Sequence, residues 1–237
     1  MNNKLIFMHI PKCGGSTFKS ILDRIYKSDE IYDIEEQNIE SFISLSAQEK
    51  DKIKLLKGGH FKFGLHEHFS AKFKYITFLR NPIERIISNY YYVKRASHHR
   101  FYNLVKNGMS LYDYVIKINQ EGVINNGQIK IISGIQDKEE FMLEKSLENI
   151  EKHFSFVGIV EKFNESLVIL QKMYGWPTPY YNIINKSDKR PNLDHIDNKT
   201  IDTIKHFNGG DINLYSEMSK ALDTKLKNEN LLNLYLL

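Results

Sequence analysis

An α/β fold, with a central parallel sheet between two layers of helices, is predicted by three features of the sequence. Short apolar runs of strand length recur at residues 5–10, 73–79 and 154–160. After the first two of these runs, and further on in the chain, apolar residues fall at helical spacing. The turns between strand and helix carry Gly, Asn and Pro where helices start or stop. Strands alternating with amphipathic helices form parallel sheets covered on both faces. At 237 residues, 41% hydrophobic and 26% charged, the chain suits one large soluble domain over 1–237.

The first element pair is the most informative. Leu5, Ile6, Phe7, Met8 and Ile10 form a run suited to a fully buried strand, and Phe18, Ile21, Leu22 and Ile25 mark one face of a helix. Between them lies Pro11-Lys12-Cys13-Gly14-Gly15-Ser16-Thr17. Strand, glycine-rich loop and helix together gather backbone N–H groups at a helix N-terminus and aim them at an anion. Lys12 adds a mobile positive charge, and Ser16 and Thr17 add hydroxyl donors. The stretch reads as a phosphate-binding loop. It is not the nucleotide-triphosphatase loop G-x-x-x-x-G-K-[ST], because the lysine precedes the glycines and no GK[ST] occurs in the chain.

Residues 28–45 are polar and acidic and read as a surface connection. Ser46-Ala47-Gln48-Glu49 has the form of a capping box and predicts a short helix carrying Ile53, Leu55 and Leu56. Gly58 and Gly59 then turn the backbone directly before His60. Histidine is the side chain best poised to take a proton from a hydroxyl near neutral pH, which makes His60 a candidate base. His66 and His68 follow, but no cysteine or firmly placed carboxylate completes a metal set, so no metal is expected.

The second strand, through Phe73, Tyr75, Ile76, Phe78 and Leu79, ends at Arg80-Asn81-Pro82. Asn81 suits an N-cap and Pro82 the first helical position, with Ile83, Ile86, Ile87, Tyr90 and Tyr91 on the buried face. Arg80 thus stands at the C-terminal end of a strand, where open α/β sheets bind ligands. A basic cluster, Lys94, Arg95, His98, His99 and Arg100, follows. Further on, a helix is predicted from Lys138 to about Phe154, with Leu143, Leu147, Ile150 and Phe154 on one face. A third strand follows, then a helix capped by Asn164 and ended by Gly175. Asn185 to Pro191 is a polar, basic loop. Asp211 is placed to cap a last helix, with Leu214, Tyr215, Met218 and Leu222 on its inner side, and the apolar tail at 227–237 either docks or offers an oligomer contact.

The opening stretch His9-Ile10-Pro11-Lys12-Cys13-Gly14-Gly15-Ser16-Thr17 resembles the 5′-phosphosulfate loop of sulfotransferases that use 3′-phosphoadenosine 5′-phosphosulfate (PAPS). It looks most like the carbohydrate branch, which includes the heparan sulfate 2-O- and 6-O-sulfotransferases. Gly59-His60-x-x-Phe63-Gly64 resembles the segment carrying their catalytic histidine, and Arg80 followed eight residues later by Ser88 resembles their 3′-phosphate element. Asn125 to Gly134 resembles a further family segment beside the cleft, with Lys130 in place of an arginine.

The resemblance implies the sulfotransferase variant of the P-loop-type fold and transfer of a sulfuryl group from PAPS to a hydroxyl, taken to be a carbohydrate's. His60 would take the acceptor proton. Lys12 and the loop from Cys13 through Gly14, Gly15, Ser16 and Thr17 would hold the departing phosphate. Arg80 and Ser88 would bind the 3′-phosphate, with Lys186, Ser187 and Arg190 closing over the nucleotide. Residues 28–54 and 93–126 would face the acceptor.

The bulk numbers suit a basic cleft for an anionic ligand as well as they suit any other partner. A net charge of +4 is too mild to argue for nucleic acid, and one cysteine, Cys13, excludes an internal disulfide. No run of about 18 apolar residues marks a membrane span. No signal sequence or N-terminal anchor opens the chain, so a cytoplasmic, bacterial protein is expected. A P-loop kinase would share the opening motif but should show GK[ST] and a strand ending in Asp. A non-catalytic protein that senses an adenosine bisphosphate, or binds RNA, would need no histidine beside the loop.

Overall fold

The computed structural model describes residues 4–34, 38–59, 61–121, 125–135, 137–178, 181 and 193–228. Five strands, β1 (Lys4–His9), β2 (Ile31–Ile34), β3 (Leu55–Gly59), β4 (Phe73–Leu79) and β5 (Phe154–Ile159), form one sheet in the order β2-β3-β1-β4-β5. Every pairing is parallel. In the first half of the chain the helices are α1 (Gly15–Ile25), α2 (Ile39–Ile43), α3 (Ala47–Lys52), α4 (Pro82–Val93), α5 (Tyr102–Lys106) and α6 (Leu111–Gln120). They are followed by α7 (Gly127–Ser133), α8 (Glu139–His153), α9 (Phe163–Tyr174), α10 (Asn198–Phe207) and α11 (Gly209–Asn228).

The α/β sandwich is built as the alternation of apolar runs requires. Phe7 pairs with Ile76, so Phe7, Ile76 and Phe78 share one face of the sheet. On that face Phe18 of α1 packs its ring 4.8 Å from both Phe7 and Phe78, and Phe163 of α9 lies 4.9 Å from Phe78. Tyr75 points the other way, against Phe63 and Phe154, and the amide of Phe63 donates to Ile131 of α7. A second apolar cluster joins Ile86, Ile87 and Tyr90 of α4 to Val105, Tyr114, Val115, Ile118 and Ile204. It packs the 101–121 segment and α10 onto the flank of α4.

Two strands depart from the sequence expectation. The capping box at Ser46 is formed, with Glu49 returning to the Ser46 amide, but its helix stops at Lys52. Leu55 and Leu56 belong to β3, and Gly58 and Gly59 continue that strand beside Met8 and His9 rather than turning a corner. Glycine is needed at 58 because a Cβ there would sit 1.7 Å from the carbonyl oxygen of Ile34 in β2. Lys57 hides the strand in the sequence: it is buried, with its ammonium between Asp23 and Asp33. The 28–45 stretch, read as a surface connection, supplies β2 and α2.

Later elements carry smaller corrections. Met142, Ser146 and Asn149 are the fully buried residues of α8, with Leu143, Leu147 and Ile150 at the rim. Ser146 and Asn149 donate to the carbonyls of Ile129, Ile132 and Ser133, which ties α8 to α7. Lys162, not Asn164, occupies the N-cap of α9, and Asn164 accepts from the Tyr181 hydroxyl. Gly175 ends α9 at φ 65° as expected. Asp211 does not cap α11, because its carboxylate is turned onto α7. The C-terminal tail, from 229, lies outside the described residues.

The chain leaves β1 toward the β2 edge and leaves β4 toward the β5 edge. The crevice of such a sheet opens where these directions diverge, outside the C-terminal ends of β1 and β4. Both sequence motifs stand there.

Candidate donor site

The loop after β1 is shaped by two left-handed residues. Lys12 has φ 68° and Gly14 φ 72°. Glycine takes that conformation freely, whereas for lysine it costs about 1–2 kcal/mol. Gly14 is the N-cap of α1, and the amide of Phe18 donates to its carbonyl. Gly15 is required by close approach, since a Cβ there would lie 1.8 Å from the His9 ring. On its other side His9 borders Gly59, whose Cβ would come 3.4 Å from Nδ1. Ser16 is exposed and Thr17 buried at the start of α1. Cys13 turns inward: its amide donates to Ile10 and its thiol reaches Oε1 of Gln128 at 3.4 Å. Burial pushes that thiol up to about 12, so it stays protonated.

Arg80 comes from the end of β4. Its Nη1 donates to the carbonyl of Lys12 at 3.2 Å, and its Nη2 pairs with Glu84 one turn into α4 at 3.2 Å. Its Nε is buried and has no hydrogen-bond partner among the described residues. Asn81 caps α4, accepting from Ile83 and Glu84, and Pro82 follows as the sequence predicts. Glu84, Ser88 and Tyr92 are spaced four apart, so they lie along one face of α4. Glu84 holds Arg80, and the Tyr92 ring lies 4.0 Å from the Lys12 ammonium. Buried Ser88 is therefore bracketed by residues that touch the two halves of the site.

The charges at this point are predominantly positive. Burial, then the neighbouring charges of Arg80 and Arg95, draws the Lys12 ammonium down to about 8. Burial likewise lowers Arg80, against the opposing pull of Glu161. Lys12, Arg80 and Arg95 thus share one small region, and a cation held below its usual range by desolvation and like charge is stabilised when an anion arrives. A helix N-terminus, a buried guanidinium N–H without a partner among the described residues and two further cations form a donor set that fits an organic phosphate.

The sequence places the segment from Asn125 to Gly134 beside the cleft but gives none of its residues a role, and one of them joins the two halves. Gln128 in α7 is fully buried. Its Oε1 accepts from the Arg80 amide at 2.9 Å while its Nε2 donates to the Arg80 carbonyl at 3.0 Å, and the same Oε1 meets the Cys13 thiol. Asp211 anchors the start of α7, accepting from the amides of Gln128 at 3.0 Å and Ile129 at 2.9 Å, and Arg85 of α4 pairs with it at 3.3 Å. Burial raises the Asp211 carboxyl, with Arg85 and the two amides opposing. Tyr92 also goes unnoticed in the sequence, although its signal is there: it follows Ser88 by one helical turn.

His60 lies outside the described residues, as do Lys186, Ser187 and Arg190. Gly59, before position 60, is the last residue of β3 and pairs with His9. His66 and His68 are apart from this site: His66 meets the Tyr75 hydroxyl at 3.1 Å and the His153 ring, and His68 lies against Phe42. The basic cluster is dispersed, with Arg100 paired to Glu121 and His98 to the Tyr92 hydroxyl. Lys130 pairs with Glu139. Among the described residues, no group of three His, Cys, Asp or Glu could hold a metal ion, and no helix is long and apolar enough to cross a membrane.

The model of a sulfotransferase family matches residues 1–216. No curated protein matches the chain. Among solved structures, a mouse sulfotransferase, SULT7A1, complexed with PAP, is 10% identical at a TM-score of 0.44. That alignment takes in 87% of this chain, which spans 63% of the mouse protein's length.

Proposed function

The chain belongs to the sulfotransferase family, and on that premise we propose that it transfers a sulfuryl group from PAPS to a hydroxyl of a carbohydrate acceptor. The observation that carries the reading is the meeting of Lys12, Arg80 and the N-terminus of α1 at the C-terminal ends of β1 and β4. PAPS supplies an activated sulfuryl group on a phosphate that can leave.

Lys12 and the amides from Gly14 to Thr17 hold the 5′-phosphate and offset the charge that grows on its bridging oxygen, as preorganised donors do. Arg80, whose Nε–H has no acceptor among the described residues, binds the 3′-phosphate together with Ser88 and so favours PAPS over ATP. His60 takes the acceptor proton. Lys186, Ser187 and Arg190 cover the nucleotide. The acceptor enters past residues 28–54 and 93–126, where the fold adds β2, α2 and the α5–α6 helices. Positioning and charge stabilisation supply the rate, with no step assigned to a metal. A cytoplasmic setting is part of the same proposal.

Transfer of labelled sulfur from PAPS to a panel of oligosaccharides tests the proposal. A His60→Ala variant is expected to lose at least about 10²-fold in turnover while still binding adenosine 3′,5′-bisphosphate. Near-normal turnover of that variant would remove His60 from the mechanism, and no transfer to any hydroxyl acceptor would remove the carbohydrate reading.

A further inference from the structure

We propose that Gln128 is a positioning residue that sets the distance between the two phosphate subsites, an inference that rests on the donor-site reading above. The subsites come from different parts of the chain: one from the loop after β1, the other from the end of β4 and the face of α4. β1 and β4 are hydrogen-bonded only as far as Met8 and Thr77. Beyond that point the strand pairing no longer fixes Lys12 against Arg80. The Gln128 side chain takes over where the sheet stops.

Its amide pairs with Arg80 as a neighbouring strand would, accepting from the backbone N–H and donating to the backbone carbonyl. The oxygen that accepts from Arg80 also accepts from the Cys13 thiol, so one atom touches both subsites. Gln128 is itself immobilised. Its backbone N–H is held by Asp211, which also pairs with Arg85 on the helix that carries Ser88. A further link closes the frame, as the Asp211 amide donates to the Asn126 side chain and the Asn126 amide donates to Asn208. With both its oxygen and nitrogen committed at 0% exposure, Gln128 has no route to a ligand of its own. It acts on the nucleotide only through Arg80 and Cys13.

Two-point binding gives this role a signature that mere structural support lacks. Adenosine 3′,5′-bisphosphate must reach both subsites, whereas adenosine 5′-monophosphate needs only the loop. A Gln128→Met variant keeps the volume but loses both bonds to Arg80 and the oxygen that meets the Cys13 thiol. It is expected to weaken the bisphosphate by about tenfold or more while leaving the monophosphate within about twofold of the wild type. Gln128→Glu supplies a second test, since a protonated carboxyl can accept from the Arg80 N–H and donate to its carbonyl. Its preference for the bisphosphate should recover as pH falls, and the Met variant's should not.

Equal weakening of both nucleotides, or an unchanged ratio in folded Met and Glu variants, would overturn the proposal. Should the Met variant fail to fold, the pH dependence of the Glu variant decides alone. The donor-site reading fails separately, and the inference with it, if the wild-type protein does not distinguish the two nucleotides.

Discussion

The guanidinium of Arg80 donates to the backbone carbonyl of Lys12 at 3.2 Å, so the cation at the end of β4 steadies the loop at the end of β1. One side chain therefore has two duties. It fixes the strained residue of the loop, and its buried Nε–H has no hydrogen-bond partner among the described residues. Glu84 and the Tyr92 ring extend the same contact along α4, which brings a loop, a strand end and a helix face into register.

His9 and Gly15 provide a first check on this packing. Replacing Gly15 by Ala places a methyl 1.8 Å from the imidazole and should cost about 1–3 kcal/mol of stability. Removing the ring first, as His9→Ala, should make the glycine replacement nearly neutral. Urea unfolding of the two single variants and the double variant measures the coupling, and simple additivity would contradict the contact.

Lys12 is strained for a purpose. A Lys12→Gly variant should be more stable than Lys12→Ala by about 1–2 kcal/mol, because only glycine takes φ 68° without penalty. Both variants should bind the bisphosphate more weakly than the wild type. Equal stability of the two would mean that the loop relaxes to an ordinary conformation.

The strongest local signals were legible in the sequence, and the residues that join them were not. The Gly14-Gly15 loop, the Asn81-Pro82 helix start and the Gly175 helix end depend on neighbours in the chain, and each stands where local chemistry places it. β3 is hidden in the sequence because Lys57 interrupts its apolar run, and that lysine is tolerated through Asp23 and Asp33 from elsewhere. Gln128 and Asp211 are 83 positions apart, so no spacing rule links them. Their roles arise when α7 and α11 meet. Asp211 stands where a cap of its own helix is expected and binds the amides of another instead, since a carboxylate binds whichever amides the fold turns toward it.

The pH response of Lys12 follows from its surroundings. With its ammonium drawn down to about 8, the lysine is charged below that pH and neutral above it. Affinity for adenosine 3′,5′-bisphosphate should therefore fall as pH rises through about 8. Lys12→Arg, which stays charged, should show no such step. The linked effect on folding has the opposite slope. Between about 8 and 10.5 the unfolded chain binds more protons at this site than the folded one, so the ligand-free protein gains stability as pH rises through that window. Calorimetric titration across pH 7 to 10 checks the first statement, and denaturant unfolding the second. Flat affinity would show that Lys12 does not hold the phosphate.

Arg85 and Asp211 form a buried pair whose loss should be severe. Asp211→Ala leaves a buried guanidinium uncompensated and frees the amides of Gln128 and Ile129, at an expected cost of about 3–5 kcal/mol. The denaturant midpoint measures it. A loss within the range of an exposed ion pair, about 0–1 kcal/mol, would show that the pair is not a fixed part of the scaffold.

On the proposed function, Lys12, Arg80 and the start of α1 bind a nucleotide bearing phosphates at both its 3′ and 5′ positions. Thermal unfolding with adenosine 3′,5′-bisphosphate, set against ATP with magnesium, tests it most directly. At about 100 times its dissociation constant the bisphosphate should stabilise the protein by about 2.7 kcal/mol without metal. An Arg80→Ala variant should lose most of that gain. Stabilisation by ATP with magnesium alone, or by neither nucleotide, would contradict the claim.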